Sequence, residues 1–236
     1  MQMQDVEITQ VIHDTDRLFR IRTERPQTLR FQAGEFVMLG LPGVPVKRAY
    51  SITSGPYDDY LEFYSIKAPG GEFTSKLIQV EPGDVLQVGN KPTGTLTASS
   101  LTQGGSLWMF ATGTGVAPFI SLLRDPYTHE AFTSIHLAWS VRSVEDLAAY
   151  HDFLESLDID YLPTVTQEPY VNQGRIQSHI DSGRLLPNCD PKDNKVMLCG
   201  SIEFNSDLKA LLEQQGFLET SSTNPGVLVL ERAFVG

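Results

Sequence analysis

Trp108-Met109-Phe110-Ala111-Thr112-Gly113-Thr114-Gly115-Val116-Ala117-Pro118-Phe119-Ile120 is the stretch that decides the fold of this chain. Its first four residues form a continuous apolar run suited to a strand buried on both faces. Val116, Phe119, Ile120 and Leu123 then recur at the spacing of one helix face. A strand, a glycine turn and a helix in that order open a parallel α/β unit, and the chain beyond keeps the alternation. Strands are predicted over 135–139, 161–165, 195–199 and 227–230. Between them lie a helix carrying Leu147, Tyr150, Leu154 and Leu157, another near 177–182, and a third with Phe204, Leu208, Leu211 and Leu212. Residues 101–236 are therefore expected to form an α/β doubly wound parallel sheet.

Upstream the pattern changes. Short β-type runs at 35–39, 46–52, 60–66 and 84–88 are separated by Pro42-Gly43, Ser54-Gly55-Pro56, Pro69-Gly70-Gly71 and Pro82-Gly83. That spacing predicts a small antiparallel β-barrel over residues 1–100. A helix from Phe73 or Thr74 to about Val80 interrupts it, with Leu77 and Ile78 facing inward.

Composition narrows the function. The 236 residues are 41% hydrophobic with a formal charge of −11, which repels nucleic acid and anionic lipid. No run of about eighteen apolar residues is present, and Met1 to Ile8 lacks the basic and apolar regions of an export signal, so a cytoplasmic protein with no membrane span is expected. Most of the acidic excess falls after residue 100, which reads as solvated acidic helix faces there or, alternatively, as a nearly neutral first hundred residues able to accept an acidic protein partner. Cys189 and Cys199 are too few for an iron–sulfur or zinc cluster, and the five histidines show no metal-ligand spacing. No metal is expected, and any redox centre is an organic cofactor.

Four groups of residues could carry chemistry. On a strand Arg48 and Tyr50 share a face, with Ser51 on the other face or at the strand's end. A guanidinium can pair with phosphate, a phenol ring can stack on a flat heterocycle, and a hydroxyl can bond a ring nitrogen. Alone, the tetrapeptide is equally an ordinary strand with a snorkelling arginine and a core tyrosine. Gly70-Gly71-Glu72-Phe73-Thr74-Ser75 offers glycines for close approach and then a helix start, which suits a pyrophosphate or a plain capped turn. Gly113-Thr114-Gly115-Val116-Ala117-Pro118 lacks the third glycine of a dinucleotide fingerprint but stands where a phosphate loop belongs. Cys199-Gly200-Ser201 closes another buried strand at the same sheet edge, as a reactive thiol or as a small core residue.

Arg48-Ala49-Tyr50-Ser51-Ile52, Tyr64-Ser65-Ile66-Lys67 with Gly71-Glu72-Phe73-Thr74-Ser75, Gly113-Thr114-Gly115-Val116-Ala117-Pro118-Phe119, Cys199-Gly200-Ser201 and the terminal Glu231-Arg232-Ala233-Phe234-Val235-Gly236 stand in one order. Together they resemble the ferredoxin–NADP reductase superfamily, in its bacterial ferredoxin/flavodoxin–NADP reductase branch. The resemblance spans nearly the whole chain. It implies an FAD-binding barrel and an NADP(H)-binding sheet whose C-terminal tail returns to the flavin. It implies too that NADPH hydride goes to flavin N5 and electrons leave singly to ferredoxin or flavodoxin. By it Arg48 binds the FAD pyrophosphate, Tyr50 stacks on the isoalloxazine beside Ala49, and Ser51 lies near N5. Tyr64, Ser65 and Ile66 line the FAD cavity, and Gly71, Phe73, Thr74 and Ser75 hold phosphate. Gly113, Thr114, Gly115 and Pro118 shape the NADP site, with Cys199 and Glu231 beside the nicotinamide. Ser51, Cys199 and Glu231 are thus the implied catalytic residues. Ala233 takes the place of a plastid-type terminal tyrosine, leaving Phe234 to pack on FAD.

The resemblance also assigns the 2′-phosphate to Arg142 and Arg175. A third arginine is expected in a Thr-Arg-Glu sequence, where this chain has Thr166-Gln167-Glu168, so the preference for NADPH over NADH is weakened. A monomer is expected. An NAD(P)H-dependent flavin or cytochrome reductase is the alternative within the superfamily, and a non-catalytic protein-binding module the alternative outside it. A dihydroorotate dehydrogenase electron-transfer subunit is disfavoured, because the C-terminal cysteine cluster is absent.

Overall fold

Frequent turn chemistry breaks the N-terminal part of the chain into strands too short to make a sheet of any width except by antiparallel return. In the computed structural model, which describes residues 2–68, 70–220 and 225–232 with the side chain of Arg232 left aside, these strands are β1 (Met3–His13), β2 (Leu18–Glu24), β3 (Phe36–Gly40), β4 (Arg48–Ser51), β5 (Tyr60–Ile66) and, after helix α1 (Thr74–Leu77), β6 (Val85–Gly89). Every pairing is antiparallel, in the order β4-β3-β6-β1-β2-β5. A bridge between Ile52 and Phe63 and a 2.8 Å bond from Thr53 N–H to the Glu62 carbonyl join the two edges, so the sheet is a nearly closed barrel.

Strands β3 to β6 fall where the sequence puts them. β1 and β2 come in addition to the expected set. A register shift between Ile8 and Gln10 breaks the alternation of β1, and the inward row of β2 ends on a buried threonine, Thr23. The barrel core gathers Val6, Ile8, Phe19, Ile21, Val37, Leu39, Ile52, Phe63 and Leu86, with Phe73 and Leu77 of the α1 region packed among them. α1 is one turn long and does not reach Val80. Beyond Leu77 the backbone tightens into three-residue turns, with Gln79 N–H on the Lys76 carbonyl and Val80 N–H on that of Leu77, ahead of Pro82.

The molecule has two compact units, one of residues 2–94 with Ala117–Asp125 and one of residues 95–116 with 126–232. Helix α2 (Ala117–Leu123), buried along its whole length, belongs to the barrel unit. Its last turn explains why: Ser121 Oγ donates to the Ser54 carbonyl at 2.7 Å and Arg124 Nη1 to the Thr53 carbonyl at 3.1 Å.

The second unit contains β7 (Ser106–Thr112), α3 (Pro126–Ala131), β8 (Ser134–Val141), α4 (His151–Glu155), β9 (Asp160–Val165), α5 (Ile176–Asp181), β10 (Asn194–Gly200), α6 (Ile202–Gln214) and β11 (Leu228–Arg232). All strand pairs are parallel, in the order β11-β10-β7-β8-β9. Every residue of the interior strand β10 is buried, as a sheet covered on both faces requires. Trp108, Phe110, Val196 and Leu198 pack with Ile176 and Ile180 of α5 and with Phe204, Leu208 and Leu212 of α6. Pro163 is tolerated because β9 is an edge strand, where one row of backbone N–H groups has no ladder to join. Among the described residues no helix is long and apolar enough to cross a membrane.

Ile52 is fully buried at the bridge that closes the barrel. Ile52→Ala should therefore cost about 2–5 kcal/mol, read as a lower denaturant midpoint. An unchanged midpoint would show that closure at this bridge contributes nothing.

Candidate functional site

The barrel unit presents its candidate residues on the edge strand β4 and the neighbouring β5. Arg48, Ala49, Tyr50 and Ser51 pair with Leu39, Met38, Val37 and Phe36, and all four are half-buried. The Tyr50 hydroxyl lies 3.0 Å from Ser65 Oγ, and its ring centroid is 6.0 Å from that of Phe73. Burial pushes the phenol up from its ordinary value, so Tyr50 stays neutral. Tyr64 and Ser65 are buried and Ile66 half-buried beside it. Arg48 donates only to the adjacent Lys47 carbonyl, at 3.1 Å, and forms no ion pair among the described residues.

The structure thus brings Tyr50, Ser65 and Phe73 together. Thr74 contributes a buried hydroxyl with no hydrogen-bond partner among the described residues. An unsatisfied buried hydroxyl costs on the order of 1–3 kcal/mol, and a phosphate oxygen would satisfy it. Gly71 N–H is occupied by the Ala68 carbonyl, and the exposed Ser75 hydroxyl turns back to the Glu72 carbonyl at 3.4 Å. A partly buried aromatic ring, an unpaired guanidinium and an orphaned hydroxyl suit a flavin nucleotide.

In the second unit the strand order reverses between β7 and β10, and ligands of open parallel sheets bind at the carboxyl ends flanking such a reversal. Gly113 and Thr114 follow β7 there, in a turn where Gly113 takes φ +52° and its carbonyl accepts the Trp139 indole N–H at 2.8 Å. A Cβ on Gly115 would lie 2.2 Å from the Cys199 carbonyl oxygen, so the two strand ends approach as closely as backbones can. Pro118 is the second residue of α2, where a helix needs no N–H from it. After β10, Ser201 caps α6 by accepting Phe204 N–H at 3.2 Å.

Cys199 and Glu231 are register partners on β10 and β11. Burial, helped by the Glu231 charge, holds the Cys199 thiol far above its usual range, so it is a thiol and not a thiolate. Glu231 is pushed up to about 7 by burial, and its Oε2 has no hydrogen-bond partner among the described residues. Asn205 of α6 donates to the Glu231 carbonyl at 2.8 Å. Sequence reasoning passed over Asn205; its one signal is a weak helix former inside the amphipathic stretch that follows Cys199-Gly200-Ser201.

Arg142 and Arg175 are both exposed, Arg142 just after β8 and Arg175 just before α5. Gln167 N–H bonds the Arg142 carbonyl at 3.0 Å, and Gly174 N–H bonds that of Val165 at 3.0 Å. Both arginines and Gln167 therefore gather at the carboxyl ends of β8 and β9. Glu168 accepts Val144 N–H beside them. Cys189 is half-buried, bonds the Leu186 carbonyl and joins neither group. Ala233 and Phe234 lie outside the described residues. Among the described residues no cluster of His, Cys, Asp or Glu could hold a metal ion.

Residues 3–97 match the oxidoreductase FAD-binding domain family, and residues 109–209 the oxidoreductase NAD-binding domain family. The chain is 42% identical to ferredoxin–NADP reductase A of Sorangium cellulosum, over 97% of this chain and 89% of that one. It is 41% identical to the flavodoxin/ferredoxin–NADP reductase of Rhodobacter capsulatus, over 97% and 92%. A crystal structure of a ferredoxin NADP+ reductase from Neisseria gonorrhoeae with bound FAD and NADP superposes with a TM-score of 0.93 at 27% identity, covering 99% of this chain and 100% of that one.

The unfolded chain ionises Glu231 at its ordinary value of 4.5, whereas the folded chain keeps the proton to about 7. The unfolded state loses its proton first, so this residue lowers stability progressively between those two pH values, by up to about 3 kcal/mol. Glu231→Gln removes the effect. The melting temperature of the variant should pull ahead of the parent's as pH rises from about 5 to about 8, and a constant difference across that range would contradict the shift.

Proposed function

The chain belongs to the ferredoxin–NADP reductase family, and we propose that it exchanges electrons between NADPH and a small one-electron carrier, ferredoxin or flavodoxin, by way of bound FAD. The observation that carries this reading is identity above 40% along nearly the full length to reductases of that activity. When bound, FAD accepts a hydride and returns electrons singly. The protein's task is to bind, orient and tune.

On the barrel, Tyr50 offers a ring face for stacking, with its hydroxyl held by Ser65. Arg48 and Thr74 supply a guanidinium and an unsatisfied hydroxyl to phosphate oxygens. Ser51 closes the strand with a hydroxyl able to bond a ring nitrogen. In the sheet unit, the Gly113–Gly115 turn receives the pyrophosphate, its shape fixed by the Trp139 bond and the Cys199 approach. Cys199 contributes a neutral, poorly nucleophilic wall, and Glu231 a carboxyl that retains its proton near neutrality.

Anaerobic titration tests the whole reading: NADPH should bleach the flavin absorption, and ferredoxin or flavodoxin should restore it. A chain without a flavin band would instead be a binding module.

Arg142 and Arg175 are the expected holders of the 2′-phosphate, with Gln167 beside them in place of a third arginine. Arg142→Ala should raise the NADPH dissociation constant about tenfold and scarcely move that for NADH. Gln167→Arg should raise the NADPH-to-NADH ratio of kcat/KM by a similar factor. Equal effects on both nucleotides, or an unchanged ratio, would remove these residues from the adenosine end.

A further inference from the structure

Strand β4 ends at Ser51, and the two residues that follow Ile52 are held by a side-chain network with no part in the cofactor contacts assigned so far. Glu62 of β5 is fully buried. Its Oε2 accepts Arg22 Nε at 2.7 Å, and its Oε1 accepts Thr53 Oγ1 at 3.1 Å and Arg124 Nη1 at 3.4 Å. The Glu62 backbone takes part too, its carbonyl accepting Thr53 N–H at 2.8 Å and its N–H bonding Ser54 Oγ at 3.1 Å. From α2, Ser121 Oγ donates to the Ser54 carbonyl at 2.7 Å, and from the residue after it Arg124 Nη1 donates to the Thr53 carbonyl at 3.1 Å and the Tyr60 hydroxyl at 3.4 Å.

Both carbonyls of the dipeptide Thr53-Ser54 are thus taken by side chains of α2 and of the residue after it, while its hydroxyls and the Thr53 amide are taken by Glu62. A plain turn needs only enough bonds to satisfy its own backbone. Here a buried carboxylate and two guanidiniums converge on the stretch two residues beyond Ser51. Burial opposes ionisation of Glu62, but Arg124 and Arg22 outweigh it and hold the carboxyl below its usual range, so the network is charged at neutral pH. Binding sites that act by orientation need their contact residues locked by such a supporting shell.

We propose that Ser121, Arg124 and Glu62 are positioning residues for the flavin site, fixing the end of β4 so that Tyr50 and Ser51 meet the bound flavin in a single arrangement. The inference rests on the assignment of Arg48–Ser51 to FAD. Arg124 Nη1 faces Thr53, Glu62 and Tyr60 together, and a lysine at 124 would keep the charge while changing the length and planar shape of the group that carries it.

The test uses the holoenzyme and the variants Ser121→Ala, Arg124→Lys and, as a probe of the flavin site itself, Arg48→Ala. FAD dissociation constant, flavin absorption spectrum, midpoint potential, kcat and KM for NADPH are measured on each. Ser121→Ala and Arg124→Lys should each weaken FAD binding about three- to tenfold. They should also displace the flavin band and potential and lower kcat, with KM for NADPH within about twofold of the parent. A wild-type spectrum, potential and FAD affinity in Ser121→Ala and Arg124→Lys, alongside loss of FAD in Arg48→Ala, would overturn the proposal and leave the flavin assignment standing. Undiminished FAD binding in Arg48→Ala would bring down the assignment and the proposal with it. If Arg124→Lys does not fold, Ser121→Ala, which deletes one hydroxyl and no charge, decides alone.

Discussion

A carboxylate taken entirely out of water must be matched by cations and donors, and in the barrel unit that demand falls at Glu62. Arg22 and Arg124 meet it from β2 and from the residue after α2. Removing one partner of such a buried group typically costs about 3–5 kcal/mol, because the remaining charge is left uncompensated. The network therefore fixes which elements can be neighbours. β5 has to lie beside β2, and the end of α2 has to lie over the junction of β4 and β5. The barrel core supplies the bulk of the stabilisation through non-directional contacts. The ion network adds direction: an apolar helix such as α2 could slide over a greasy surface, but Arg124 and Ser121 each have one place to go.

The sheet unit meets its own constraint without charge. Its strands reverse order between β7 and β10, and the two loops leaving that point must pass within backbone contact. Gly115 and Gly200 make this possible, since a Cβ on the first would meet the Cys199 carbonyl at 2.2 Å and on the second the Thr112 hydroxyl at 2.2 Å. The Gly113–Gly115 turn, which the sequence offers as a phosphate loop, and Cys199-Gly200-Ser201, which it offers as a thiol site or a core residue, are therefore also packing requirements of the crossover. Fold and candidate site draw on the same residues there, which is why this edge stands out in the sequence.

Legibility follows from how local the signal is. The buried run at 108–111, the turn after it and the i, i+3, i+4 helix pattern are contiguous, and so the amino-acid order alone reveals the parallel sheet and its switch-point turn. Arg48, Tyr50 and Ser51 are legible as a chemical set, and Tyr50 does meet Ser65 and Phe73. What stays hidden depends on contacts distant along the chain. Glu62 and Arg124 are 62 residues apart, and each alone is an ordinary charged residue beside an apolar run. β1 is masked by its bulge. α1 is overextended because Ile78 and Val80 continue an apolar pattern that the tightening backbone does not follow. Asn205 acquires meaning only when β11 returns beside α6, and sequence spacing has no way to announce that return.

The two glutamates Glu62 and Glu231 make the distinction between scaffold and site physical. Both are buried enough for desolvation to oppose ionisation. Around Glu62 two arginines reverse the effect, every contact is made, and the carboxylate is spent on architecture. Among the described residues no cation answers Glu231 and one of its oxygens lacks any partner, and the carboxyl is driven up to about 7. A purely structural glutamate in that position would be a standing cost with no return, since glutamine or leucine would fill the same space without it. Pairs of like groups pushed in opposite directions mark where a protein has placed its chemistry. Here the second of them stands at the carboxyl edge of the sheet, beside Cys199 and the strand reversal.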